Sequence, residues 1–172
     1  MSFVHLHVHS HYSLLDGLAK PKDIVKQAKE HGSPAVALTD HGNMYGAIEF
    51  FKIAKKEGIK PIVGCEIYVA PRTRFDKTPG VDARAFHLTL LAKDEGGYAN
   101  LLKLVTKGHL EGFYYKPRVD IGLLKAYSKG LIALSGCLAG EIPRLILNGD
   151  KEKAVKKAKE FQEIFGKDDF FL

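Results

Sequence analysis

The sequence predicts an α/β fold built on a mainly parallel sheet or barrel, and three observations carry that prediction. Short, near-continuously apolar runs alternate with longer segments whose apolar residues recur at helical spacing. Glycines stand where the longer segments stop, as suits the left-handed residue that follows many helices. Polar residues of metal-binding type fall in or just after the apolar runs, and in α/β folds site residues collect at strand carboxyl ends.

Taken in order, FVHLHV (3–8), PAVALT (34–39), PIVGCEIYV (61–69), FHLTLLA (86–92) and GLIALS (130–135) read as strands. Most are apolar throughout, as expected of strands covered on both faces. FVHLHV differs, because its alternate positions are histidine. Between the strands, KDIVKQAKEHG places Ile24, Val25 and Ala28 on one helical face and stops at Gly32. GAIEFFKIAKKEG places Ala47, Phe51 and Ala54 together and stops at Gly58, and GYANLLKLVTKG stops at Gly108. A helix with Pro143 near its first turn follows GLIALS. In KEKAVKKAKEFQEIFG, Ala154, Ala158, Phe161 and Phe165 share a face and Gly166 terminates. PRTRFDKTPGVDARA (71–85) is polar, carries Pro and Gly, and is expected to be the most flexible segment. DFFL (169–172) resembles the beginning of a further strand, so the chain is expected to be a piece of a longer protein.

Composition narrows the function classes. The chain has 172 residues, 45% hydrophobic, with 26 Lys plus Arg against 20 Asp plus Glu and a net charge of +6. That suits one domain with a substantial core, and a mild basic excess permits an anionic partner without requiring one. Two widely spaced cysteines, Cys65 and Cys137, offer no disulfide framework, so a reducing cytoplasmic setting is expected. No apolar stretch approaches the ~20 residues of a membrane span, and no basic-then-apolar leader opens the chain.

Four of the eight histidines, His5, His7, His9 and His11, fall at alternate positions in HLHVHSH. On a strand, His5, His7 and His9 point the same way, and neutral imidazole is the commonest metal ligand. A hydrogen-bonded cluster in a polar core is the alternative. In LTDHGNM an apolar strand runs into Asp40, His41 and Gly42, where the strand end presents the two polar side chains and glycine permits a sharp turn. Asp40 acting as a helix cap would explain the same residues. Glu66 in GCEIYV lies in an otherwise apolar strand and needs a metal or a cationic partner, because an unpaired buried carboxylate is very costly. Cys65 must face the opposite way and packs as a small apolar group. His87 stands at the start of its apolar run rather than its end, so its strand either begins earlier or runs in the other direction. Cys137 directly follows GLIALS, and a thiolate is a good ligand for zinc-like metals, although a buried free cysteine is commoner. His31 in a last helical turn, His109 in a polar loop and a solvent-facing His11 are assigned no chemistry.

HLHVHS and TDHG resemble the first two motifs of the PHP (polymerase and histidinol phosphatase) family. HVHSHYSLLDGLAK, ALTDHGNMYGAIEFFKIAKKEGIKPIVGCEIYVA, FHLTLLAKDEGGYANL and GLIALSGCLAGEIPRLI extend the resemblance over nearly the whole chain, toward the PHP domains of bacterial replicative polymerase alpha subunits. The resemblance implies a distorted (βα)7 barrel, incomplete at its C-terminus here, over residues 1–172. It implies a cluster of about two to three divalent metals, Zn, Mn or Fe, at the strand ends. The family pattern falls on His7, His9, Asp16, His41, Glu66, His87 and Cys137, with His5 and Asp40 as neighbours behind them. The family's last two ligands, an Asp and a His on a later strand, lie beyond residue 172, so an incomplete cluster and an open barrel edge are expected.

The activity implied is phosphoester hydrolysis by metal-activated water, acting on the 3′ end of DNA as a 3′–5′ exonuclease. Arg72, Arg74, Lys116 and Arg118 are candidates to contact DNA phosphates, and a solvated surface explains them equally well. DNA, the rest of a polymerase alpha subunit and other replisome subunits are the partners implied. Two other readings stand beside this one: a scaffold that braces a polymerase and docks a separate proofreading subunit, and a phosphatase of the histidinol-phosphate type.

Overall fold

The computed structural model describes every residue except Met1, Ser2 and Leu15. Five apolar runs form strands close to the expected bounds: β1 (Ala35–Leu38), β2 (Lys60–Val69), β3 (Phe86–Ala92), β5 (Leu131–Leu134) and β6 (Phe170–Phe171). The two-residue β4 (Arg118–Val119) is too short for a periodic signal. FVHLHV is not a regular strand. It runs extended beside β1, where Ala37 donates to the His5 carbonyl (2.9 Å) and Thr39 to that of Val8 (2.8 Å).

The sheet order is β1-β2-β3-β5-β6, with β4 beside β2; three of its pairings are parallel and two antiparallel. β1 pairs parallel with the first half of β2, Leu38 opposite Val63, and β4 pairs parallel with its end, Tyr68 opposite Arg118. β3 is antiparallel to both β2 and β5, and β5 is parallel to β6. The antiparallel β3 resolves the odd placement of His87: the strand runs in the other direction, so its beginning lies beside the end of β2, with His87 opposite Tyr68.

Two apolar cores sit against this sheet. The smaller joins α1 (Pro21–Glu30) and α2 (Ala47–Lys56) to β1 through Ile24, Val25, Ala28, Val36, Leu38, Phe50 and Ala54. Pro21 opens α1, where its missing N–H costs nothing, and Gly32 follows the helix at φ +67°. Phe50, not the expected Phe51, is the buried aromatic of α2; Phe51 is 43% exposed. The larger core joins α3 (Glu95–Leu110), α4 (Ile121–Tyr127), α5 (Glu141–Leu147) and α6 (Lys151–Phe165) to β2, β3, β5 and β6. α3 runs through Gly108 to Leu110, so His109 belongs to a helix and not a loop. α6 buries Ala154, Phe161 and Phe165 as its spacing predicts, and Gly166 follows at φ +98°.

The polar 71–85 segment lacks regular structure but is tied down. The Arg118 guanidinium is fully buried and donates to the carbonyls of Gly112 (3.0 Å), Asp82 (2.8 Å), Arg74 (3.1 Å) and Asp76 (2.9 Å). Arg72 pairs with the buried Asp82, and Arg74 with Glu111 (2.7 Å) and Asp120 (3.0 Å). The expectation of a loosely held segment overlooked these interior donors, which replace the carbonyls' lost water.

Candidate metal centre

Four separate chain segments converge on the Glu66 side chain, which is 1% exposed. Glu66 is held on β2, and the Asp40–Gly42 turn is clamped to it by backbone bonds from Glu66 N to Asp40 O (3.1 Å) and from Gly42 N to Glu66 O (2.9 Å). Gly42 takes φ +63°, and a Cβ there would lie 2.8 Å from Pro117 and 3.0 Å from the Tyr68 ring, so the turn needs glycine on two counts. His109 contacts the Gly42 carbonyl (2.9 Å), and Asn43 donates to the carbonyls of Tyr12 and His41 (both 3.0 Å). These contacts fix where His41 projects.

His7 Nε2 lies 2.7 Å from Glu66 Oε2, His9 Nε2 lies 2.9 Å from the same oxygen, and His41 Nδ1 lies 3.3 Å from it. His87 Nδ1 meets the other oxygen, Oε1, at 2.8 Å. Asp16 Oδ2 lies 2.8 Å from His9 Nδ1 and 3.4 Å from His41 Nε2. Cys137 reaches the edge of this set, with Sγ 3.7 Å from His87 Nδ1 and 3.8 Å from Glu66 Oε1. All seven residues expected as ligands therefore face one cluster. Three sets of ligand atoms gather within 4.8 Å of one another: His7, His9 and Glu66; His9, Asp16 and His41; and His41, Glu66 and His87.

Of the neighbouring residues, Asp40 and Cys65 lie where expected and His5 does not. Asp40 is buried and holds Ser10, accepting from its N–H (2.6 Å) and its hydroxyl (2.9 Å), so it shapes the loop after the histidines and caps no helix. Cys65 points away into the core and donates to the Asp40 carbonyl (3.3 Å); burial pushes its thiol up, out of reach of ionisation. His5 is exposed and sits edge-on to Phe3 rather than behind the cluster. His11 packs on Tyr12, ring centroids 4.2 Å apart. Of the four basic residues expected at DNA, Arg118 is turned inward, donates to four backbone carbonyls and, fully buried, cannot reach a phosphate. Arg72 and Arg74 are engaged in ion pairs, and Lys116 is exposed with Nζ 5.5 Å from the Tyr68 ring.

Two contributors carried no sequence signal or were passed over. The Ser13 hydroxyl accepts from the His41 backbone N–H (2.8 Å) and lies 3.0 Å from His9 Nδ1, joining two of the converging segments. Nothing local to Ser13 foretells that contact. Tyr68 stacks on His41 (5.6 Å, 15°) and meets His87 edge-on (5.2 Å). Its position two residues beyond Glu66 on the same strand face could have revealed it.

The donor set fits divalent ions. One Glu66 oxygen faces three imidazole nitrogens, more than its two lone pairs accept as N–H donors. His7 Nε2 and His9 Nε2 lie 2.9 Å apart, so one of the two must present a lone pair to the other. His41 Nδ1 is buried and makes no hydrogen bond among the described residues. Cations placed among these atoms would turn the crowded lone pairs into ligands. The electrostatics agree. Burial pushes Glu66 up, yet hydrogen bonds from His7, His87 and His9 hold it well below the usual carboxylate range. Burial pushes His41 down to about 4, so it is neutral near pH 7, the form that ligates metal.

Residues 5–172 match the PHP domain family profile. The chain belongs to the PHP domain family. The PHP chain is 53% identical over 173 residues to DNA polymerase III subunit alpha of Treponema pallidum, covering 100% of the chain and 15% of that subunit. It is 51% identical over 176 residues to the subunit of Thermus aquaticus, covering 100% of the chain and 14% of the subunit. The PHP chain thus spans about one-seventh of the length of these relatives and matches their N-terminal region. Among solved structures, it resembles a two-domain protein of Bacteroides vulgatus containing a predicted PHP-like metal-dependent phosphoesterase (TM-score 0.47, 20% identity, 86% of this chain and 41% of that one). It also resembles an amidohydrolase of Chromobacterium violaceum (TM-score 0.43, 29% identity, 63% of this chain and 34% of that one). No helix among the described residues is long and apolar enough to cross a membrane.

Proposed function

We propose that this PHP domain is a metal-dependent phosphoesterase, acting as a 3′–5′ exonuclease on DNA within a replicative polymerase alpha subunit. The observation that carries the reading is the convergence of four imidazoles and a second carboxylate on the buried Glu66. His7, His9, Asp16, His41, Glu66, His87 and Cys137 would hold about two to three ions, Zn, Mn or Fe. Bound divalent ions supply Lewis acidity and an acidified water for in-line displacement at phosphorus.

The chain's own groups prepare the site. Ser13 and Asp16 both face His9 Nδ1; an N–H held there would leave Nε2 free to offer its lone pair to a bound ion. Tyr68 confines the rings of His41 and His87, and burial pushes its phenol up to about 12, so it remains a neutral wall beside the cluster. The share of the polymerase relatives that the chain matches supports placing this activity beside a polymerase core, with DNA as substrate.

Elemental analysis of chelator-free protein, beside His9→Ala, tests the reading. About two or three divalent ions per chain, most of them lost in the variant, together with metal-stimulated release of nucleotides from a 3′-labelled oligonucleotide, are expected. A folded wild-type chain that holds no metal, or that holds metal without shortening the oligonucleotide, would sink it.

A further inference from the structure

Beside the centre, a groove of about 660 Å³ opens between the 71–85 segment and α5. That volume lies within the range of ligand sites, about 300–1,000 Å³. Its walls bring together Arg84 and Arg144, two cations far apart in sequence, above the apolar surface of Phe86, Leu138 and Leu145. Arg144 lies with its guanidinium carbon 5.7 Å from the Phe86 ring centroid. Neither arginine pairs with a carboxylate among the described residues, in contrast to Arg72 and Arg74 of the same loop region. Glu141, the acidic residue of the wall, is occupied by Lys157 (3.1 Å). Two guanidinium groups facing one cavity repel each other, and the neighbouring Arg84 charge contributes to the lowering of the Arg144 pKa, after burial. An anion between them relieves that repulsion.

The groove adjoins the candidate centre through two short pieces of chain. Phe86 in the groove precedes His87 in the cluster, and Leu138 in the groove follows Cys137 at its edge. The His87 N–H donates to the Ala139 carbonyl (3.1 Å), so the two pieces are bonded to each other. Leu138 is exposed, which leaves an apolar surface next to the cations. Guanidinium groups for phosphates beside apolar and aromatic surface for bases is the pattern of a single-strand track.

We propose that this groove binds the phosphodiester backbone of single-stranded nucleic acid, with Arg84 and Arg144 as its phosphate contacts, and leads the strand's end to the neighbouring centre. The proposal deepens the phosphoesterase reading and rests on it for the meaning of the track, while the groove's binding chemistry is measured separately. It also replaces the basic residues that the sequence nominated, of which Arg118 is buried and Arg72 and Arg74 are paired.

Fluorescence anisotropy with labelled oligothymidylate, in EDTA so that nothing is cleaved, tests it. Arg84→Gln and Arg144→Gln are each expected to weaken binding about tenfold, and Lys125→Gln on the exposed side of α4 to leave it unchanged. The slope of log affinity against log salt is expected to shrink by about 0.7 for each arginine lost. Metal content should stay at the wild-type level in both arginine variants. Binding is read by anisotropy in EDTA and metal content by elemental analysis, so failure of the metal centre and failure of the groove are read on different instruments. Wild-type affinity in the Arg84→Gln, Arg144→Gln double variant would overturn the proposal. So would no binding by the wild type, or equally tight binding of poly-glutamate, which would assign the groove to an acidic protein.

Discussion

Glu66 is nearly inaccessible to solvent, and among the described residues its counter-charges are imidazoles rather than a guanidinium or ammonium. Imidazoles can be neutral, so the same five side chains serve either as an ion-pair cluster or as ligands. Arg118 shows the opposite use of a buried charge. Its five donors are fixed in a planar fork, and four backbone carbonyls from three separated stretches accept from it. Replacing it with Leu leaves those carbonyls buried without donors, at about 1–3 kcal/mol for each one that water cannot reach. Arg118→Leu is expected to lose about 3 kcal/mol or more in urea unfolding, and Arg118→Lys less, since an ammonium keeps three donors. A loss under about 1 kcal/mol for Arg118→Leu would show that water replaces the guanidinium.

At the scale of elements, the informative case is α2. The i, i+4 and i+7 pattern groups Phe51 with Ala47 and Ala54, while Phe50 with Ala47 and Ala54 satisfies i, i+3 and i+7 equally well. Packing against α1 and β1 selects Phe50, which is fully buried among Val25, Leu38 and Ala54. Phe50→Ala is therefore expected to cost about 3–5 kcal/mol in denaturant unfolding, and Phe51→Ala well under about 1 kcal/mol. Equal losses would mean that the helix can rotate to bury either ring. The antiparallel β3 matters for function in the same way, because its direction alone brings His87 to the end of β2 where Glu66 and Tyr68 wait.

At the scale of the whole molecule, the centre and the groove depend on the 71–85 segment being held against β4 and α4. Carboxylates do much of that work. The Arg72 guanidinium holds Asp82 well below its usual range, and Asp120, despite burial that raises it, is lowered by bonds from the backbone of Arg74 and Leu123 and from the Arg74 side chain. A carboxyl lowered in the folded state stabilises the fold fully above its unfolded pKa, about 3.9 for Asp, and loses that contribution as pH falls toward the folded value. Stability in EDTA is thus expected to fall from about pH 5 downward, and Asp82→Asn, already weaker at pH 7, to fall less steeply. Urea midpoints at pH 7 and near pH 4 check this; parallel pH profiles for the variant and wild type would remove Asp82 from the account.

The sequence by itself determined most strands, the principal helices and, with the family resemblance, which side chains gather around Glu66. Apolar periodicity and glycine stops are local properties, and histidines at alternate positions or a glutamate inside an apolar strand stand out against them. His7, His9, His41 and Glu66 were legible in this way, while Asp16, His87 and Cys137 joined them only through the family resemblance. Only the tertiary structure decided which charges are free. Arg118 points inward because four distant carbonyls need its donors, and Arg84 meets Arg144 across a groove. The direction of β3 and the choice of Phe50 over Phe51 belong with these. In each case the deciding partner lies on another segment of the chain, and the pairing energy that fixes it exists only once the two segments have met.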